Sequence, residues 1–141
     1  MIVKQLSIFL ENKQGRFTEV ARILGEAGIN MTAFSVADNS DFGILRLIVS
    51  EPEKALALLK EKKFGVMLTE VVCLYCPNTP GSLAKALDIL NNEKVFIEYM
   101  YAFSMGDSAY VIIRATDMQE CVKALQKYKL ELIAADELYK L

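Results

Sequence analysis

The feature that most constrains this 141-residue chain is an internal repeat with a period of 66 residues. Shifting the sequence by that period places Asn12 on Asn78 and Gly15 on Gly81, and no gap is needed from there to the end of the chain. The predicted strands and helices also repeat in the same order and phase. A repeat of this kind means that one supersecondary unit occurs twice. It predicts two domains of similar structure, at residues 1–69 and 70–141.

The hydropathy pattern assigns the same elements to each half. Alternating apolar residues indicate strands, and apolar residues at helical spacing indicate helices. In the first half they predict strands at 2–10, 30–38 and 42–50, a helix from Phe17 that Gly28 ends, a helix from Pro52 that Gly65 ends, and a strand from Val66. In the second half they predict strands at 68–76, 95–104, 108–116 and 131–138 and helices at 82–92 and 118–129. The fold class is therefore α+β, with two tandem βαββαβ ferredoxin-like units whose antiparallel sheets carry helices on one face.

The alternation within the strands also predicts which sheet face each side chain occupies. The third strand of each half turns an apolar triplet toward the helices, and these triplets are Leu45, Leu47, Val49 and Val111, Ile113, Ala115. The opposite faces are apolar as well, through Phe9, Phe42, Ile44, Ile48 and Tyr75, Tyr110, Ile112. A contiguous apolar surface is typical of a contact surface. We therefore expect the units to pack on each other or on a second copy, with a homodimer as the assembly.

The composition excludes several classes of function. The chain has no histidine, which removes Ser-His-Asp and Cys-His catalysis and histidine metal ligands. A net charge of −2 argues against nucleic-acid binding, which needs clustered Lys and Arg. No apolar run approaches the roughly 20 residues of a membrane helix, and the N-terminus does not resemble a signal peptide. We therefore expect a cytoplasmic protein with reduced cysteines, no cofactor, and neither nucleic acid nor membrane as a partner.

The loop between the first strand and the first helix occurs twice and is the candidate binding site. It covers residues 11–17 in the first half and 77–83 in the second. A helix N-terminus offers unpaired N–H groups and the positive end of the helix dipole, so it attracts a carboxylate or a phosphate. The amides of Asn12 and Asn78 supply both donors and acceptors, which suits a zwitterion. Gly15 and Gly81 allow the backbone to approach a ligand closely.

Three further residues complete the candidate site. Gln14 and Arg16 flank the first glycine, and Arg16 is placed to assist a carboxylate. Asn30 opens the second strand after Gly28, and we expect it to lie near the loop and to supply a second amide. From the sequence, the alternative that these residues only cap the helix and form the turn stays open.

The two loops resemble the ACT family. The patterns are N-x-x-G at 12–15 and N-x-P-G at 78–81, each followed by an apolar residue and a helix of A-x-x-L type. The resemblance covers essentially the whole chain as two copies. It implies small regulatory modules that bind amino acids at interfaces between ACT units, usually without catalysis of their own.

The resemblance also implies roles for particular residues. Serine-sensing ACT units bind through the loop asparagine and an asparagine that opens the second strand, which match Asn12 and Asn30. They often carry a histidine two residues before the loop asparagine, where this chain has Leu10. Phe96 replaces Asn30 in the second copy, so we expect the first loop to be the main amino-acid site.

The predicted function is therefore a non-enzymatic, amino-acid-binding regulatory protein. The alternative is a regulatory subunit that acts mainly by protein–protein contact with a biosynthetic enzyme. A metal carrier that uses Cys73 and Cys76 is the weaker alternative. Thiols three residues apart on a strand face opposite sides, and the first half has no cysteines at the equivalent positions.

Overall fold

The computed structural model describes residues 1–11, 14–38 and 41–141. The chain forms two compact units. The N unit consists of Lys4–Thr69 with Asp136–Leu141, and the C unit consists of Met1–Val3 with Glu70–Ala135. The compact units thus differ from the two sequence halves at the ends of the chain, because each end segment belongs to the unit that the other half builds.

The N unit has the strand order β2-β3-β1-β4, in which β3 runs antiparallel to both β1 and β2. Its elements are β1 (Val3–Glu11), α1 (Arg16–Glu26), β2 (Met31–Asp38), β3 (Phe42–Val49), α2 (Pro52–Glu61) and the first part of β4 (Gly65–Pro77). One core lies between the sheet and the two helices. Its fully buried members include Leu24 of α1, Leu47 of β3 and Leu59 of α2.

The C unit repeats this arrangement with the order β4-β6-β5. Its elements are the second part of β4, α3 (Ser82–Asn92), β5 (Ile97–Met105), β6 (Ser108–Ala115) and α4 (Met118–Lys127). The predicted triplets on the third strand of each repeat face the two cores, which confirms the predicted alternation. The two tandem βαββαβ units with helices on one sheet face are therefore confirmed as the fold.

The end of the chain departs from the prediction of a strand at 131–138. Leu132 makes only an isolated antiparallel bridge to Leu74, at the position of the fourth strand of the C unit. A short helix, α5 (Ala135–Tyr139), follows it. The residues after Ile133 include no β-branched side chain, and Asp136 and Glu137 stabilise the first helical turn through the helix dipole. Local helix propensity prevails here over the expected repeat.

The four longer helices share one C-terminal structure, and it corrects the expected end of α2. In each, a left-handed residue follows the helix, and the next N–H donates to a leucine carbonyl of the last turn, which is a Schellman motif. The left-handed residues are Gly28, Lys63, Lys94 and Lys129, and the accepting leucines are Leu24, Leu59, Leu90 and Leu125. The motif after α2 therefore uses Lys63, and Gly65 begins β4 instead of ending the helix.

No helix in the described part of the chain is long and apolar enough to cross a membrane.

Candidate functional site

Helices α1 and α3 begin in the same unusual backbone conformation. Gly15 precedes α1 with φ 87° and ψ −1°, and Gly81 precedes α3 with φ 86° and ψ −10°. These angles lie in the left-handed region, which favours glycine. A β-carbon built at either position meets no other atom of the described residues within 4 Å, so the left-handed conformation selects glycine here. Both loops thus turn sharply into a helix and leave open space beside the turn.

Both helices, like α2, begin without a side-chain cap in the described residues. In α4, by contrast, the carboxylate of Asp117 accepts a hydrogen bond of 3.1 Å from the Glu120 N–H. At α3, the Ser82 N–H reaches the Thr79 carbonyl at 3.2 Å. Uncapped N–H groups at the positive end of the helix dipole favour an anionic ligand.

Arg16 is held in a fixed position at the start of α1. Its Nη1 donates to Oε2 of Glu19 at 3.0 Å, and its guanidinium carbon lies 4.7 Å from the centroid of the Phe64 ring. Nε of Arg16 is buried and has no hydrogen-bond partner among the described residues. Stacking on an aromatic ring and pairing with Glu19 orient this cation beside the uncapped turn.

Asn30 lies at the opposite end of the N unit from the β1–α1 loop, which corrects the expected proximity. The Asn30 carbonyl accepts from the Ser50 N–H at 3.0 Å, whereas β1 enters the loop beside Phe42, since Glu11 pairs with Phe42. Eight residues of β3 separate these levels, roughly 26 Å at about 3.3 Å per residue. The reason is that α1 returns the chain to the other end of the sheet before β2 begins. The Asn30 amide instead donates to the Leu141 carbonyl at 3.4 Å.

The second loop uses its asparagine to fix a neighbouring turn. Nδ2 of Asn78 donates to the Gly106 carbonyl at 3.2 Å, and the Asn78 N–H donates to the Asp107 carbonyl at 2.8 Å. The turn-forming role that the sequence left open therefore applies in the C unit. In the N unit, Asn12 lies outside the described residues, and Gln14 is exposed just before Gly15.

A cavity of about 280 Å³ opens between α1 and β2 of the N unit. Its lining side chains come from the first turns of the helix and from the strand, namely Phe17, Thr18, Ala21, Met31, Phe34 and Val36, with Leu45 of β3 behind them. Phe34 is 62% exposed and Val36 is 49% exposed, although both are apolar. The sequence analysis placed Phe17 at the start of the first helix and did not predict this cavity. The small side chain of Ala21, among the larger apolar residues of α1, was the sequence feature that could have indicated a cavity.

The corresponding groove of the C unit lies further along its helix. It is lined by Leu87, Asn91, Val95, Phe96, Ile97 and Met100, and its volume is about 340 Å³. Leu87, which lines this groove, is the repeat equivalent of Ala21 and has a larger side chain. The C-unit groove therefore borders the last turns of α3 and not the turn that follows Gly81.

The cysteine pair of β4 is divided between the two faces of the strand. Cys76 belongs to the core of the C unit, together with Cys121, whereas Cys73 is fully buried outside that cluster. This confirms the predicted orientation of the two thiols. Burial raises the pKa of Cys73 to about 12 and that of Cys121 to about 11, so both stay protonated at neutral pH. Within the described residues, no three His, Cys, Asp or Glu side chains are grouped to hold a metal ion.

Fold and loop geometry together define a tandem ferredoxin-like protein in which the first helix of each repeat begins directly after a left-handed glycine. The chain belongs to the ACT family, since the family model for an ACT domain pair matches residues 1–141. As an ACT domain pair, it is a regulatory module.

Solved structures agree with this membership. Protein BT0572 from Bacteroides thetaiotaomicron is 53% identical with a TM-score of 0.96, over 100% of this chain and 98% of that one. The regulatory subunit of aspartate kinase from Thermus thermophilus, in its ligand-free form, is 17% identical with a TM-score of 0.64, over 92% and 97% of the two chains. At that identity the likeness shows the fold alone. No curated protein matches the chain.

Proposed function

We propose that the protein binds a free amino acid at the β1–α1 loop of the N unit and regulates a process by doing so. The observation that carries the proposal is the uncapped start of α1 at Gly15. The carboxylate of the ligand accepts hydrogen bonds from first-turn N–H groups, and Arg16 adds positive charge beside them. Asn12 supplies an amide for the ligand. The amide of Asn78, its equivalent in the C unit, instead donates a hydrogen bond to the Gly106 carbonyl. On this proposal the protein acts by binding the amino acid and not by catalysis. Its proposed location is the cytoplasm.

A binding role for Asn30 requires a site that two ACT units share. Asn30 is roughly 26 Å from the loop of its own unit, so it contacts a ligand only when the loop comes from another unit. We propose that a homodimer brings such a pair together. The amino acid then stabilises the associated form to the extent that it binds this form more tightly than the separated one.

Calorimetric titration with the twenty amino acids tests the proposed function. We expect at least one of them to bind, and Asn12→Ala to weaken its binding about tenfold, since a lost hydrogen bond to a charged ligand costs roughly 1–3 kcal/mol. Asn78→Ala is the matched control in the C unit and should leave this affinity within about twofold. Equal effects of the two substitutions would place the ligand elsewhere, and the absence of any binding would refute the function.

Contact with a biosynthetic enzyme is the second candidate function. Phe9 and Phe42 lie on the sheet face opposite the helices, and about half of each side chain is exposed. Large exposed apolar side chains on one face are typical of a protein-binding surface. Affinity capture by the native protein, compared with the Phe9→Ser and Phe42→Ser variants, distinguishes this function. A biosynthetic enzyme retained by the native protein and lost by both variants would support it.

A further inference from the structure

The cavity beside α1 has the size and chemistry of a side-chain pocket. Its volume of about 280 Å³ is just below the roughly 300–1,000 Å³ of drug-sized ligand pockets, so it fits part of a small ligand. Thr18 supplies the only hydroxyl group among the lining side chains, and none of them is charged. A charged group placed here would find no charged partner among the lining side chains, whereas an apolar side chain would cover their exposed apolar surface.

The cavity is also next to the proposed carboxylate site. Phe17 and Thr18 belong to the first turn of α1 and follow Gly15 directly, which places the cavity wall within about one helical turn of the uncapped N–H groups. The Phe17 ring packs against Gly43, since a β-carbon built at 43 would be 3.4 Å from Cζ of the ring. A ligand anchored by its carboxylate therefore has an apolar pocket within reach of its side chain.

We propose that this cavity receives the ligand side chain, and that the ligand is an amino acid with an aliphatic or aromatic side chain. The inference rests on the proposed function and adds the chemical class of the ligand. Exposed Phe34 and Val36 leave apolar surface in water that such a side chain would cover. Ala21 lines the pocket with a small side chain, whereas the repeat carries the larger Leu87 at the equivalent position of the C unit, where it lines the groove beside α3. The ligand is therefore selected in the N unit.

Calorimetry with leucine, phenylalanine, alanine, serine and aspartate tests the inference. Leucine or phenylalanine should bind at least tenfold more tightly than alanine, which presents the same carboxylate and ammonium groups without the larger side chain. Ala21→Leu should reduce the affinity for that ligand at least tenfold, because it fills the pocket with the residue that the repeat carries at 87. Ala57→Leu, at an exposed position of α2, is the matched control and should change the affinity less than twofold.

A second variant and a second measurement keep the test decisive. Val36→Thr preserves the shape of an exposed side chain, and it should weaken binding of the apolar ligand without altering the melting temperature. Serine or aspartate binding as tightly as leucine would overturn the inference while the proposed function stands. No binding by any of the twenty amino acids would refute both. An altered sedimentation coefficient in Ala21→Leu, with unchanged affinity for leucine or phenylalanine, would show that the groove is a contact between copies and overturn the inference.

Discussion

Gly15 and Gly81 show how one residue type serves two loops that differ in their surroundings. Both have nearly the same left-handed angles and the same open space. The residues around them differ, because Asn78 holds the turn at Gly106 in the C unit while Arg16 stacks on Phe64 in the N unit. Backbone geometry is therefore similar at these two glycines, but the chemistry of the two loops has diverged.

The glycine pair gives a prediction in which each position is the control for the other. Gly15→Ala and Gly81→Ala should each lower the free energy of unfolding by about 1–2 kcal/mol, since each forces a β-carbon into the left-handed region. Only Gly15→Ala should also lower the affinity for the ligand, because it disturbs the proposed carboxylate site. Urea unfolding and calorimetry measure the two effects. An equal loss of ligand affinity in both variants would contradict the assignment to the N unit.

The buried thiols give a prediction about reactivity. Because burial raises the pKa of Cys73 to about 12 and that of Cys121 to about 11, both are neutral thiols well below those values. At about pH 8, the folded protein should therefore react slowly with Ellman's reagent at these two positions. All three cysteines should react once the protein is unfolded in guanidinium chloride. Stoichiometric zinc or copper binding that Cys73→Ser abolishes would instead support the metal-carrier alternative.

At the level of elements, the helix ends are more regular than the helix starts. All four longer helices end in a Schellman motif, yet three of them place a lysine in the left-handed position. A left-handed lysine costs more than glycine, because its β-carbon approaches the carbonyl oxygen. The apolar residue that follows, such as Phe64 after α2, is packed into or against the core and fixes the turn despite this cost.

Substitution at the end of α3 measures that cost. Lys94→Gly should raise the free energy of unfolding by up to about 1 kcal/mol, since Lys94 has φ 58° and glycine adopts this angle without strain. Lys85→Gly, at an exposed position inside the same helix, should lower it by about 1 kcal/mol. Chemical denaturation of both variants gives the comparison. A loss of stability in both would mean that the lysine side chain itself stabilises the helix end.

At the level of the whole molecule, the end of the chain completes the N unit. Tyr139 belongs to this unit, and its hydroxyl oxygen accepts a hydrogen bond of 2.8 Å from the Lys4 N–H. Burial raises the pKa of this phenol, so it stays neutral at physiological pH. Leu138 beside it is completely buried. A segment remote in sequence therefore contributes a buried side chain and a hydrogen bond to the unit that carries the candidate site.

Loss of that segment should destabilise the N unit selectively. Leu138→Ala should cost about 2–5 kcal/mol, the usual range for removing a buried leucine side chain. Hydrogen exchange should show faster exchange in β1 and β3 than in β5 and β6. Leu141→Ala, at an exposed position of the same segment, is the control and should have little effect. Equal acceleration in both units would show that they unfold as one cooperative body.

The sequence alone determined the repeat, the order of helices and strands up to α4, the two loops and the family, because hydropathy period and turn chemistry are local properties. Tertiary structure decided three features that depend on residues distant in the chain. Strand register placed Asn30 at the end of the sheet away from the loop, and the contact with Lys4 assigned the last residues to the N unit. Packing of α1 against β2 opened the cavity at Ala21. Each of these follows from how distant segments meet in space, which a local pattern does not specify.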